Sequence, residues 1–163
     1  AASRLRAGDR VLLSGTVYTA RDAAHKKLLA LLDAGGALPF ELRGAVLYYA
    51  GPTPAPDDRA IGSCGPTTSG RMDPYAPALL DLGLAAMIGK GRRNAAVLES
   101  IRKNRAVYLC ALGGAGALYA SCVERSEVIA FPELGCESVK RLTVREMPLI
   151  VANDCAGGDL FKD

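Results

Sequence analysis

The strongest constraint on the fold is the spacing of apolar residues, which changes repeatedly along the chain between a strand pattern and a helix pattern. The run Arg10–Tyr18 is rich in Val, Leu, Thr and Tyr and follows a Gly-Asp turn, a pattern typical of a strand. In the next segment, 21–32, the apolar residues Ala24, Leu28 and Leu31 recur at helical spacing. Continued alternation of this kind favours an α/β fold, and an unbroken succession of strands near the end indicates a mixed rather than a purely parallel sheet.

The same reasoning places the remaining elements. It predicts strands at 44–50, 83–88, 105–112, 123–131, 139–145 and 149–153, and helices at 74–82, at 94–104 and after a glycine turn at 113–116. We expect Asp73 to cap the helix at 74–82, and Thr19 with Asp22 to form a capping box before the first helix. No internal repeat or domain boundary is evident, so residues 1–163 are predicted to form one domain with a mixed central sheet and flanking helices.

Composition excludes several classes of function. Lys plus Arg total 20 against 17 Asp plus Glu, without a run of five like charges, so we expect no nucleic-acid partner. The apolar runs are far below the roughly 20 residues of a membrane helix, and the N-terminus has no apolar leader segment, which predicts a soluble protein without a membrane partner. Five dispersed cysteines without a CxxC pair predict no metal site and reduced, mostly buried thiols in a cytoplasmic protein.

The loop 65–73, with the sequence GPTTSGRMD, is the densest polar feature. Three hydroxyls and a guanidinium precede a predicted helix, where backbone N–H groups and the helix dipole favour anions. The alternative is a polar turn with an N-cap.

Two other segments carry candidate residues. TARDAAH, at 19–25, lies at a strand-to-helix junction and contains the single histidine of the chain; the alternative there is a capped helix with an i, i+4 pair. GKGR, at 89–92, places a cation after an apolar strand but lacks the P-loop pattern. Arg21, Arg71 and Lys90 at comparable strand ends indicate a pocket for a small dianion, either a carboxylate or a phosphate. Spacing alone does not choose between an enzyme, an anion sensor and an interaction subunit.

Several motifs together resemble a known family. They are GDRVLLSGTVYTARDAAHKK, YYAGP, GPTTSGRMD, GKG, GGAGAL, FPELGCES and VANDCAGGDLF, in that order. The chain is similar over nearly its whole length to the C-terminal domain, or separate β subunit, of the class I iron-sulfur hydro-lyases, which are oxygen-sensitive fumarases and L-tartrate dehydratases. TARDAAH and GPTTSGRMD together are highly specific, whereas GKG or GGAGAL alone would be weak.

The resemblance implies a swivelling β/β/α-type domain that docks on an α subunit carrying a [4Fe-4S] cluster. The cluster acts as a Lewis acid without redox turnover, and the active site lies between the two subunits of an α2β2-like hetero-oligomer. The implied function is hydration of fumarate to malate in the tricarboxylic acid cycle. The TARDAAH and SGRMD motifs favour fumarase. A β subunit of L-tartrate dehydratase or a related C4-diacid hydro-lyase, or a non-catalytic dicarboxylate-binding module, remains an alternative.

The resemblance also implies site residues. Thr67 occupies the position of the catalytic base, and Arg21, Arg71 and Lys90 match the groups that bind the substrate carboxylates. Cations at the carboxylate stabilise the charge that develops when the adjacent carbon loses its proton. None of the five cysteines inherits a cluster-ligand role.

Three other residues carry minor expectations. We expect His25 to lie on the helix surface at the subunit interface, or else to orient Asp22. Gly116 replaces a residue that is more often Ala in the family, which adds flexibility to the 113–116 turn. Cys64 adjoins the 65–73 loop, so we consider it a candidate redox-sensitive thiol.

Overall fold

The computed structural model describes residues 1–112 and 114–162, so Gly113 of the predicted turn and Asp163 lie outside the described residues. The strands are β1 (Arg10–Thr19), β2 (Val46–Tyr48), β3 (Ala86–Gly89), β4 (Val107–Cys110), β5 (Val123–Ala130) and β6 (Val139–Asn153). The α-helices are α1 (Asp22–Asp33), α2 (Ala76–Asp81), α3 (Ala95–Asn104) and α4 (Gly116–Ser121), and 3-10 helices span Ala2–Arg4, Ser69–Met72 and Pro132–Glu137. None of the described helices is long and apolar enough to cross a membrane.

The sheet is mixed, which confirms the predicted α/β class. Its strand order is β1-β2-β3-β4-β6-β5, with β1 to β4 parallel to one another. Strand β6 runs antiparallel to β4 and β5, and also pairs with β1 along nearly the whole of that strand. Because β1 pairs with β6 as well as with β2, the strands β1, β2, β3, β4 and β6 close into a ring.

The closed sheet divides the apolar core in two. Tyr48, Ile88 and Leu109 belong to a buried cluster to which all five strands of the ring contribute. Their neighbours along β3 and β4, Met87 and Tyr108, pack outside the ring in a second cluster with α1, α2 and α3. Both faces of these short parallel strands are buried, which explains why their sequences are continuous apolar runs and do not alternate between apolar and polar residues.

Both predicted helix caps are wrong. Helix α2 begins at Ala76 with Tyr75 as the N-cap residue, and Asp73 does not cap it. Helix α1 has Arg21 as its N-cap residue, without a side-chain cap bond. The Thr19 hydroxyl instead accepts a 3.2 Å hydrogen bond from the backbone N–H of Lys140 on β6. In each case a tertiary partner takes the side chain that local sequence rules assign to a cap.

The two strands predicted at 139–145 and 149–153 form one continuous strand. The interruption in the pattern corresponds to an irregularity opposite Leu13–Gly15 of β1. Glu146 has a φ of 49° there, and its N–H donates a 2.9 Å hydrogen bond to Ser14 Oγ. A bulge of this kind lets a polar pair interrupt the apolar pattern without ending the strand.

Candidate functional site

The candidate residues lie where parallel strands end. The carboxyl ends of β1, β2 and β3 share one edge of the closed sheet, and in α/β folds ligands collect at the carboxyl ends of parallel strands. Arg21 follows β1 by two residues and Lys90 follows β3 directly. The prediction of comparable strand ends is therefore correct for Arg21 and Lys90 and wrong for Arg71, which lies in the 3-10 helix Ser69–Met72.

The loop 65–73 reaches the same edge by extending the sheet. The Thr67 N–H donates a 2.7 Å hydrogen bond to the carbonyl of Tyr49, just beyond β2. Thr68 forms a parallel bridge with Lys90, and the Ser69 N–H donates to the Lys90 carbonyl at 2.9 Å. Two strand ends therefore hold Thr67 and place it next to the segment that carries Lys90.

Two hydroxyls fix the loop against β3 and β4. Tyr108 is buried, and its hydroxyl donates to the Gly91 carbonyl at 2.8 Å while lying 2.7 Å from the buried Ser69 Oγ. A Cβ added to Gly89 would overlap Ser69 Oγ and approach Tyr49. The loop can lie this close to β3 only because position 89 is a glycine.

Arg71 points back to the first helix. Its Nε donates a 3.0 Å hydrogen bond to Asp22 Oδ2, its Nη2 forms an ion pair with the same oxygen at 2.9 Å, and its side chain is 52% exposed. This ion pair joins the 65–73 loop to the 19–25 segment. The two motifs that carried most of the family resemblance are therefore in contact.

Arg21 lies over a glycine. A Cβ on Gly51 would stand only 2.9 Å from Arg21 Cδ and 3.0 Å from its Nη1. Arg21 Nε is buried and has no hydrogen-bond partner within residues 1–112 and 114–162. The glycine of the YYAGP motif thus provides the space in which the Arg21 side chain lies.

A buried ion pair supports the loop, and sequence reasoning missed it. Arg93 Nε donates to Asp73 Oδ1 at 2.7 Å, and the other Asp73 oxygen accepts the Asn94 N–H at 2.8 Å. Arg93 also donates to the Tyr49 hydroxyl at 3.2 Å and stacks against the rings of Tyr49 and Tyr108. Arg93 and Asp73 are 20 residues apart, and no local sequence pattern links them. The one indication in the sequence was the position of Arg93, a charged residue between an apolar strand and a helix.

His25 is not a surface residue, so that expectation is wrong. It is fully buried, and its ring contacts Tyr49 edge-on and Tyr75 at a tilt. Burial lowers its pKa from 6.5 to about 4. Nδ1 lies 2.8 Å from the Arg21 carbonyl, which can only accept, so Nδ1 carries the proton of the neutral ring.

The structure also changes the interpretation of Gly116 and Cys64. A Cβ at Gly116 would overlap Ser63 Oγ, so the glycine is required by close packing rather than by flexibility. The Cys64 thiol is buried, and its burial raises its pKa to about 12. An inaccessible, protonated thiol is not a redox sensor.

The residues that the structure describes do not fit an iron-sulfur cluster. Across the described ranges, no three His, Cys, Asp or Glu side chains are grouped closely enough to hold a metal ion. The five cysteines are free and dispersed along the chain, and of the five only Cys64 is buried, so the prediction of mostly buried thiols is wrong. No step of the chemistry can therefore be assigned to a cluster held by this chain.

Comparison with known proteins identifies the family. The Fumarase C-terminus family matches residues 1–163. The chain belongs to this family. Among members of known name, the anaerobic class I fumarate hydratase of Escherichia coli is 38% identical over 162 residues, and fumarate hydratase 2 of Leishmania major is 37% identical over 162 residues.

The share of each relative's length that matches this fumarase C-terminus chain differs between the relatives. The matched residues make up 98% of this chain but only 30% of the Escherichia coli enzyme and 28% of the Leishmania enzyme. The putative L(+)-tartrate dehydratase subunit beta of Methanocaldococcus jannaschii is 39% identical over 166 residues, with 85% of its length covered. The chain thus spans under a third of the fumarate hydratases and most of the beta subunit.

Proposed function

We propose that this chain is the β subunit of a class I fumarate hydratase and forms one wall of an active site completed by an α subunit that holds the [4Fe-4S] cluster. The observation that carries the proposal is that segment 67–71, which contains Thr67 and Arg71, is bonded through residues 67–69 to Tyr49 and Lys90 at the carboxyl ends of β2 and β3. Membership of the fumarase C-terminus family supports it. So does the similarity to a putative L(+)-tartrate dehydratase subunit beta, 85% of which the match covers.

The cations have a defined task in this proposal. Removing the proton next to a carboxylate moves negative charge onto that carboxylate, so cations there bind the transition state more tightly than the substrate. Arg71, Arg21 and Lys90 supply these charges from three segments. A guanidinium can contact both oxygens of a carboxylate, whereas Lys90 supplies a single mobile charge.

Thr67 has the role of the base in this proposal. A threonine hydroxyl is a weak base unless a neighbouring cation stabilises its alkoxide. The bridge between Thr68 and Lys90 holds the Lys90 backbone beside the residue that follows Thr67, and in this proposal the Lys90 ammonium is that cation. The hydrogen bond from the Thr67 N–H to Tyr49 keeps the residue at the strand end, where a substrate held by the cations would lie.

The five free thiols support a reducing compartment, and we extend the proposal to the cytoplasm. A β subunit of L(+)-tartrate dehydratase is the second candidate. The observation in its favour is the 85% coverage of the Methanocaldococcus protein. The two candidates share the cations and differ in the diol or alkene that the pocket must accommodate.

Reconstitution tests the proposal. The purified chain alone should not hydrate fumarate, and anaerobic mixing with a cluster-bearing α subunit should restore turnover that exposure to oxygen abolishes. Parallel assays with L-tartrate separate the two dehydratases. Turnover by the lone chain after treatment with a chelator would contradict the proposal. Diacid binding without turnover in the anaerobic mixture would instead indicate a non-catalytic binding module.

A further inference from the structure

Asp22 makes a contact with Arg71 that helix formation does not explain. It lies in the first turn of α1, but Arg21 is the N-cap residue and no side chain caps the helix. Asp22 Oδ2 accepts the Nε–H of Arg71, 49 residues further along the chain, and lies 2.9 Å from its Nη2. Asp22 Oδ1 is buried and has no hydrogen-bond partner in the described part of the chain. The hydrogen bond of the carboxylate thus goes to the 65–73 loop and not to its own helix.

The geometry of the contact determines which part of Arg71 faces a ligand. A guanidinium presents two edges that can grip a carboxylate, one formed by Nε and Nη2 and the other by Nη1 and Nη2. Asp22 occupies the first edge, with distances of 3.0 and 2.9 Å. Apart from the contact of Nη2 with Asp22, the Nη1–Nη2 edge has no partner in the described part of the chain, and the Arg71 side chain is half exposed. An incoming carboxylate can therefore approach Arg71 end-on without displacing Asp22.

We propose that Asp22 is a positioning residue that holds Arg71 with its Nη1–Nη2 edge toward one carboxylate of the dicarboxylate substrate. The inference rests on the proposed function. A free arginine loses side-chain freedom when it binds a ligand, and a partner that immobilises it beforehand removes that cost from binding. Exposed ion pairs contribute little to stability, so the effect of Asp22 should appear in substrate binding and not in unfolding.

The test is a double-mutant cycle on the complex with the α subunit. Asp22→Asn keeps the shape of the side chain and removes its charge, and it is measured alone and together with Arg71→Gln. Asp22→Asn alone should raise KM for malate about two- to tenfold, the cost of immobilising one long side chain, with kcat changed less. In the Arg71→Gln background it should have no further effect on KM, because the residue through which it acts is gone.

Asp81→Asn is the matched control. Asp81 forms a comparable exposed pair with Lys103, at 3.5 Å, at the end of α2 remote from the site edge. It should leave KM and kcat unchanged. The melting temperature of each variant is measured alongside, and Asp22→Asn should match the control.

The outcomes separate the two proposals. An active wild-type complex in which Asp22→Asn leaves KM unchanged, or raises it equally with and without Arg71, would overturn the positioning role and leave the function standing. A fall in melting temperature without a change in KM would likewise assign Asp22 to helix stability. A wild-type complex inactive on all diacids would overturn the proposed function itself.

Discussion

Arg93 Nε lies 2.7 Å from Asp73 Oδ1, and neither side chain has more than 7% of its surface exposed. The pair joins the end of the 65–73 loop to the residue before the N-cap of α3. It also holds Tyr49, whose carbonyl accepts the Thr67 N–H. The position of Thr67 therefore depends on a buried charge pair that does not itself reach the site edge.

Replacing Arg93 should destabilise the fold. Arg93→Met leaves the Asp73 carboxylate buried without its cation, and breaking one side of a buried pair costs about 3–5 kcal/mol. The free energy of unfolding from urea titration measures the loss. The double variant Arg93→Met/Asp73→Leu should recover part of it, since no unpaired charge remains. A loss below about 1 kcal/mol for Arg93→Met would place the pair among weak surface contacts.

Thr67→Ala should lower kcat and leave KM nearly unchanged. Substrate binding rests on the cations, whereas proton transfer by a positioned base contributes about 10²- to 10⁴-fold to the rate. Steady-state kinetics of the reconstituted complex with malate give both constants. Thr68→Ala, at the exposed neighbouring position, is the control and should retain kcat. If Thr67→Ala raised KM at unchanged kcat, Thr67 would be a substrate-binding residue and not the base.

Gly51→Ala should impair substrate binding while the chain still folds. The added methyl group meets Arg21 Cδ, part of a flexible side chain that can move aside, so the cost falls on the placement of Arg21. We expect KM to rise and the melting temperature to change little. Against an Arg21→Ala background the same substitution should have no effect on KM. An equal rise in both backgrounds would show that Gly51 acts on the backbone instead.

His25 should make stability depend on acid pH. Its folded pKa of about 4 is below the unfolded value of 6.5, so between these limits the unfolded chain binds more protons. The stability contributed by the neutral ring is complete above about pH 6.5 and is lost as pH falls toward 4, by about 3 kcal/mol in total. Urea titrations across this pH range give the free energy of unfolding. The difference between the unmodified chain and His25→Phe isolates the pH dependence that is due to His25.

The single histidine allows a direct check. The chain contains one His, so a proton NMR titration of its ring reports this pKa without assignment. A midpoint near 6.5 would contradict the buried, neutral ring. With a midpoint near 6.5, the unmodified chain and His25→Phe should also show the same pH dependence of the free energy of unfolding.

The strands and the gathering of cations were predictable because they depend on local pattern. Apolar runs specify β2 and β3, and parallel strands end at one edge, so Arg21 and Lys90 follow from order alone. The pairing of Arg93 with Asp73 was not predictable, because it depends on how a loop packs across the sheet. The surface position predicted for His25 was wrong for a similar reason. Tyr75, which precedes α2, covers the face of α1 that carries His25, and the sequence of α1 alone does not show this contact.

The pairing of β1 with β6 also has a consequence for folding. It joins Arg10 to Ile150 and Val17 to Leu142, across most of the chain. Long-range pairing of this kind slows folding, since the entropy of closing a long loop is lost before the contacts form. The inner cluster cannot be enclosed until β6 arrives, and Arg21, Thr67, Arg71 and Lys90 all precede it. A nascent chain that ends before Val139 should therefore carry every proposed substrate-binding residue, remain sensitive to protease, and be unable to hold those residues in place.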